Sequence, residues 1–170
     1  MVQYTLLIDH ELCFGCYACE VACKEENNLP VGPRWIQVIT VGPRKVGQRL
    51  VQDFVPRTCV HCVKAPCIDV CPVEAITKRE DGIVLIDPDL CNGCLACIEA
   101  CPYAAPQFNP EKKVVEKCNL CLPRLEQGLK PSCVQHCPAG AIYFGDINQA
   151  AQELRKRRVA IRRPAGSEAR

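Results

Sequence analysis

Sixteen cysteines in 170 residues constrain this chain more than anything else in it. They fall into four groups of four, with none left over. The first is Cys13, Cys16, Cys19 and Cys23, spaced C-x2-C-x2-C-x3-C. The second is Cys59, Cys62, Cys67 and Cys71, spaced C-x2-C-x4-C-x3-C-P. The third is Cys91, Cys94, Cys97 and Cys101, spaced C-x2-C-x2-C-x3-C-P. The fourth is Cys118, Cys121, Cys133 and Cys137, spaced C-x2-C-x11-C-x3-C-P. Aromatics are only 5%, so large side chains for an ordinary core are scarce. A chain short of core closes itself with disulfides or metals instead.

A disulfide framework belongs to an oxidising compartment. The start, Met1 to Ile8, meets an acid at Asp9, too soon for the basic and apolar segments of an export signal. It carries no twin-Arg motif, and no apolar run approaches the ~20 residues that span a bilayer. The expected location is cytoplasmic, without membrane insertion; export on a partner's twin-Arg signal stays open. Structural zinc uses two C-x2-C pairs per ion, whereas groups one and three are triple runs. C-x2-C-x2-C brings three sulfurs to one small centre, and its tight loops aim backbone N–H groups at sulfide and thiolate. A fourth cysteine three residues on, followed by a proline that ends the short helix, completes the pattern of a [4Fe–4S] cubane. Sixteen such ligands imply four [4Fe–4S] clusters. Each oxidised cluster with its thiolates carries about −2, so the formal +2 becomes roughly −6 on loading. That charge makes no case for nucleic acid.

The cysteine groups repeat. Ile8-Asp9-His10-Glu11-Leu12-Cys13 aligns with Ile86-Asp87-Pro88-Asp89-Leu90-Cys91, and Cys71-Pro72-Val73-Glu74-Ala75-Ile76 with Cys137-Pro138-Ala139-Gly140-Ala141-Ile142. Two copies read as a duplicated globular unit rather than a solenoid. In two-cluster ferredoxins the last cysteine of a run ligates the other cluster. Groups two and three are close together and read as one such unit. Cys59, Cys62 and Cys67 then share a cluster with Cys101, and Cys91, Cys94 and Cys97 take Cys71. By elimination, Cys13, Cys16 and Cys19 pair with Cys137, and Cys118, Cys121 and Cys133 with Cys23. The expected fold is α+β, two bacterial-ferredoxin-like (βαββαβ-type) modules with little regular structure. The first is discontinuous, residues 1–57 and 102–146; the second is 58–101; a C-terminal helix and basic tail fill 147–170.

Residues 3–8 and 83–86 read as strands leading into groups one and three. Gln37 to Val41 and Leu50 to Phe54 form a hairpin, with Gly42-Pro43 and Gly47 marking the turn. Val114-Val115 and Ile142-Tyr143-Phe144 are further strands, and 19–26 and 97–101 helical turns. Asp146 can cap a helix from Ile147 to about Arg158, ahead of a loose tail from Arg162. His61 and His136 could donate to cluster sulfur or simply be packed or exposed, and His10 reads as a surface residue. Lys24 stands where other groups have proline: a solvated cation, or one that raises a cluster's potential. Trp35 reads as core or interface, and Arg155-Lys156-Arg157-Arg158 as a solvated face or a contact for an acidic partner. No base, nucleophile or open metal site stands out, so the chain is not expected to be an enzyme on its own.

From Tyr4 to Ile147 the chain resembles the iron–sulfur subunits of the dimethyl-sulfoxide-reductase type of molybdenum or tungsten oxidoreductases. The resemblance rests on Cys13-Phe14-Gly15-Cys16-Tyr17-Ala18-Cys19 through Lys24, Asn27-Asn28-Leu29-Pro30, Cys59-Val60-His61-Cys62 with Ala65-Pro66-Cys67, Asp81-Gly82-Ile83-Val84, Cys101-Pro102-Tyr103, Cys118-Asn119-Leu120-Cys121 with Arg124, and Pro131-Ser132-Cys133-Val134 through Asp146. It implies four clusters in a row. It also implies a large catalytic partner with a bis-pyranopterin metal centre, and a second redox partner. That second partner is a membrane quinone subunit, a flavoprotein or another iron–sulfur protein such as a ferredoxin. Little follows Asp146 here, unlike in membrane-linked members. The short forms resemble subunits of cytoplasmic tungsten aldehyde oxidoreductases and formate dehydrogenases. A freely diffusing polyferredoxin, and a wire that also scaffolds an oligomer through its C-terminal helix, are the alternatives.

Overall fold

Among the described residues of the computed structural model, every strand finds a single partner. The structure describes residues 2–162. Its elements in chain order are β1 (Tyr4–Ile8), α1 (Ala18–Glu26), β2 (Ile36–Val46), β3 (Arg49–Thr58), α2 (Pro66–Asp69), β4 (Ile76–Lys78), β5 (Val84–Ile86), α3 (Ala96–Glu99), β6 (Gln107–Asn109), β7 (Val114–Glu116), α4 (Leu122–Glu126), α5 (Ser132–Gln135), β8 (Ile142–Asp146) and α6 (Ile147–Arg162). The strands pair as four antiparallel ribbons: β1 with β8, β2 with β3, β4 with β5 and β6 with β7.

Two of these ribbons carry the sequence repeat into space. Ile8 lies opposite Ile142, and the Asp9 N–H donates to the Ala141 carbonyl at 2.8 Å. Ile86 lies opposite Ile76, and the Asp87 N–H donates to the Ala75 carbonyl, also at 2.8 Å. Each aspartate then turns the chain toward its cysteines by accepting a backbone N–H two residues on, from Glu11 and from Asp89. The strand leading into group one is thus closed by the strand leaving group four, and the strand leading into group three by the strand leaving group two.

The hairpin is longer than its sequence suggests. Glycine and proline at 42 and 43 were expected to mark part of the turn, but β2 runs through them to Val46. Gly42, at φ 107, and Pro43 fall in a register shift between Val41 and Arg44. A bulge accommodates a proline that has no N–H for the ladder. The reversal is made beyond Val46, which faces Arg49, with Gly47 at φ 62.

Cysteines lie within both apolar clusters. One gathers Leu6, Ile36, Val38, Ile83, Leu120 and Ile142 around Cys19, Cys23, Cys59, Cys118 and Cys133. The other sets Ala65, Ile76, Val84 and Val115 around Cys67 and Cys97. Trp35 packs half-buried against the first. Helix α6 starts where expected: Asp146 accepts the Asn148 N–H at 3.0 Å and the Gln3 N–H at 3.1 Å. Those donors, Gln3 first, hold its carboxyl below the usual range. The helix passes Arg158 and continues to Arg162. Two cations of its basic run, both still partly exposed, also contact the fold. Arg157 stacks 4.7 Å over the Tyr143 ring, and Arg158 lies 3.4 Å from the fully buried Asp9. The expected loose tail falls mostly at 163–170, outside the described residues. Among the described residues no helix is long and apolar enough to cross a membrane.

Candidate metal centres

One backbone device recurs at all four cysteine groups. The residue before the second cysteine is left-handed each time: Gly15 (φ 74), His61 (φ 48), Gly93 (φ 70) and Leu120 (φ 57). Successive residues of opposite hand turn their N–H groups into one concavity that suits an anion. Where the residue is not glycine the conformation costs about 1–2 kcal/mol. The donors point at sulfur: His61 N–H lies 3.5 Å from Cys59 Sγ, and Leu120 N–H 3.4 Å from Cys118 Sγ. Val115 N–H donates to Cys91 Sγ at 3.4 Å and Ala141 N–H to Cys137 Sγ at 3.3 Å.

A second device follows the fourth cysteine. In each Cys-Pro group the residue three beyond the cysteine is left-handed and donates its N–H to the cysteine carbonyl. These are Glu74 at 3.3 Å, Ala104 at 3.1 Å and Gly140 at 3.0 Å. The proline ends the helix, and this turn sends the chain into the next strand or loop. Group one differs. Lys24 takes the proline's place, helix α1 runs on to Glu26, and the Lys24 ammonium ties down the Pro30 carbonyl at 2.5 Å. Asn27 then closes the helix and reaches Cys23 Sγ at 3.8 Å.

No disulfide joins any of the sixteen cysteines. Burial raises several of these thiols, and other cysteines nearby add to it. The Cys19 thiol is pushed up to about 12 by burial, then by Cys137, Glu20, Cys13 and Cys16. Burial also raises Cys23, followed by Cys118 and Cys121. Cys62 rises through burial, Cys59 and Cys101. Cys67 rises through burial, against Lys117, with Cys59, Cys101 and Cys62 adding to it. Cys97 is pushed up to about 11 by burial, Cys67, Cys91 and Cys94. Cys71 and Cys91 both pack against the apolar cluster that holds Cys97. Four thiols, Cys59, Cys62, Cys67 and Cys101, line one chamber. Inward-facing thiols and convergent N–H donors are the chemistry that a [4Fe–4S] cluster requires, so the residues fit that group.

The 4Fe-4S dicluster domain family matches residues 50–147, and the 4Fe-4S binding domain family matches residues 10–27. The B component of polysulfide reductase from Wolinella succinogenes is 41% identical over 156 residues, 91% of this chain and 82% of that protein. The B component of tetrathionate reductase from Salmonella typhimurium is 42% identical over 165 residues, 94% of this chain and 66% of that one. The B component of sulfite dehydrogenase from Allochromatium vinosum is 40% identical over 187 residues, 98% and 77% of the two chains. This protein belongs to the iron–sulfur subunits of the molybdopterin oxidoreductases. Its ferredoxin-type domains mix small ribbons with short helices, and its sixteen cysteines support four [4Fe–4S] clusters.

Within this iron–sulfur subunit, neighbouring cysteine sets also act on one another. Cys133 is raised by burial, then by Cys118, Cys121, Cys23 and Cys19. Cys118 is pushed up to about 12, first by burial and then by Cys59. Cys16 and Cys94 are the exposed cysteines.

The histidines separate clearly. His10 and His136 are exposed, the latter bonded to the Ser132 carbonyl at 2.9 Å. His61 is 1% exposed, and its Nδ1 accepts the Val84 N–H at 3.0 Å. Burial first, then the nearby Lys117 charge, lowers its pKa to about 3, so the ring is neutral. Lys117 itself was missed by sequence reasoning. It is 4% exposed, lines the four-thiol chamber and donates to the Val84 and Cys118 carbonyls. Lysine is ordinarily a surface residue, so only its place directly before a cysteine hinted at it.

Proposed function

We propose that this chain conducts electrons through four [4Fe–4S] clusters, between a molybdenum- or tungsten-pterin catalytic subunit and a second redox partner. When bound, each cluster supplies one-electron exchange; the chain supplies thiolates, N–H donors and burial. The observation that supports this reading is the packing of cysteines from successive sets in common apolar clusters: Cys19, Cys133, Cys118 and Cys59 in one, and Cys67 and Cys97 in the other. In this reading the sets form one continuous row. Cys13, Cys16, Cys19 and Cys137 hold the first cluster of that row. Cys118, Cys121, Cys133 and Cys23 hold the second. Cys59, Cys62, Cys67 and Cys101 hold the third. Cys91, Cys94, Cys97 and Cys71 hold the fourth. The exposed Cys16 and Cys94 belong to its two ends, where electrons enter and leave.

The first two sets make a discontinuous module, 1–57 with 102–146, closed by β1 and β8. The other two make the module 58–101, closed by β4 and β5. In this reading the substrate chemistry belongs to the catalytic partner. Iron and sulfide analysis of the purified chain should return about sixteen of each. A count near eight would overturn the four-cluster reading. Native size-exclusion should place the chain with a large molybdenum or tungsten protein; elution as a lone monomer would favour a diffusing polyferredoxin instead.

A further inference from the structure

Lys117 poses a physical problem. A buried ammonium costs several kcal/mol unless an anion faces it. Its Nζ meets two neutral carbonyls, those of Val84 and of Cys118, the latter at 3.3 Å. None of the ion pairs among the described residues includes it. The adjacent Glu116 carboxylate is engaged by Lys112 at 2.8 Å and by Asn109 at 3.0 Å. His61 offers no negative charge, since its Nδ1 accepts the Val84 N–H and leaves the proton on Nε2.

The missing anions stand on either side. Lys117 lines the chamber walled by Cys59, Cys62, Cys67 and Cys101. Along the chain it directly precedes Cys118, whose carbonyl it holds. Two cluster sites therefore meet at one buried cation.

We propose that Lys117 is the shared counter-ion of the second and third clusters, holding both reduction potentials above where they would otherwise lie. The inference rests on the four-cluster wire. One-electron reduction adds one negative charge to a cluster, and a fixed neighbouring cation favours that charge in a site shielded from water. Lys117 is thus a positioning residue for charge at the step where electrons cross between modules.

The test uses the intact complex with Lys117→Met, Lys117→Gln and Lys117→Arg, each assayed for iron and titrated redox-potentiometrically by low-temperature EPR. In both neutral variants two of the four midpoints should fall by at least a tenfold change in the reduction equilibrium, which is 59 mV for one electron. The other two should stay, and Lys117→Arg should keep all four. Full iron with unmoved midpoints would overturn the proposal, as would an equal shift of all four. If one neutral variant loses its iron, the other against Lys117→Arg decides. If both lose iron while Lys117→Arg keeps it at native potentials, charge is what retains the clusters; loss in all three overturns the proposal. Wild-type iron near eight sinks the wire reading, whereas unmoved midpoints at full iron sink only the role of Lys117.

Discussion

The half closed by β1 and β8 and the half closed by β4 and β5 share one turn but differ in everything threaded between its ends. In the second half the paired isoleucines, Ile76 and Ile86, are close in sequence. In the first, Ile8 meets Ile142 from the far end of the chain. Loop closure over roughly 130 residues instead of about ten costs about 2 kcal/mol more in entropy. The first half offsets this with additions the second lacks. Helix α1 has nine residues against four in α3, the long hairpin sends Ile36 and Val38 into its core, and α6 braces β1 and β8. The comparison teaches that a cysteine turn of this kind tolerates almost any intervening chain, provided the two strands that frame it still meet.

Removing a ligand should break the comparison most severely. If each half exchanges its fourth cysteines, Cys137→Ser will disturb the centre of Cys13, Cys16 and Cys19 and leave that of Cys118, Cys121 and Cys133 in place. Iron should fall by between about one and four of the sixteen, and the EPR signal of one cluster should change. A changed Cys118 centre with an intact Cys13 centre would overturn the exchange.

Equivalent glycines sharpen the contrast at the next scale. Gly15 and Gly93 precede the second cysteine of their groups, at φ 74 and 70. A methyl at either position is strained by about 1–2 kcal/mol. At Gly93 it would also come 2.6 Å from the Lys113 backbone carbonyl, which cannot yield. At Gly15 it would meet the ring of Phe54, a side chain that can rotate away. Gly93→Ala should therefore lose its cluster or cost more than about 3 kcal/mol in chemical denaturation, with Gly15→Ala costing about half that. Equal losses would mean that the Phe54 ring is as fixed as backbone.

The unequal glycines also mark how far the sequence could be read. Cysteine spacing and the Cys-Pro punctuation are local, and so was the expectation of strands before groups one and three and of a cap at Asp146. Those signals survived into the structure because each acts within a few residues. Left-handed His61, Leu120 and Cys121 gave no such sign, since side chains that avoid this conformation occupy it only where tertiary contacts impose it. The bulge at Gly42-Pro43 read as a turn because the same residues serve both, and only the partner strand β3 decides between them. Lys117 was invisible for a related reason: its chamber is assembled from residues 59 to 106, and nothing adjacent in sequence reports their arrival.

The smallest effect concerns how the halves are joined. Strand β1 pairs with β8, yet it also bonds across to the opposite half. The Tyr4 N–H donates to the Asp81 carbonyl at 3.0 Å, and the Thr5 hydroxyl to the Val60 carbonyl at 3.1 Å. The Gln3 amide donates to the carbonyls of His61 at 3.0 Å and Gly82 at 3.2 Å. Gln3→Ala removes the last two bonds and keeps the strand pairing. At about 0.5–1.5 kcal/mol per bond, the loss should be near 1–2 kcal/mol. If the halves are thermodynamically one unit, cluster bleaching and loss of secondary structure will coincide in the wild type and begin to separate in this variant. Coincident transitions in both would assign the coupling to the buried contacts around Leu6 and Ile83, which Gln3→Ala leaves untouched.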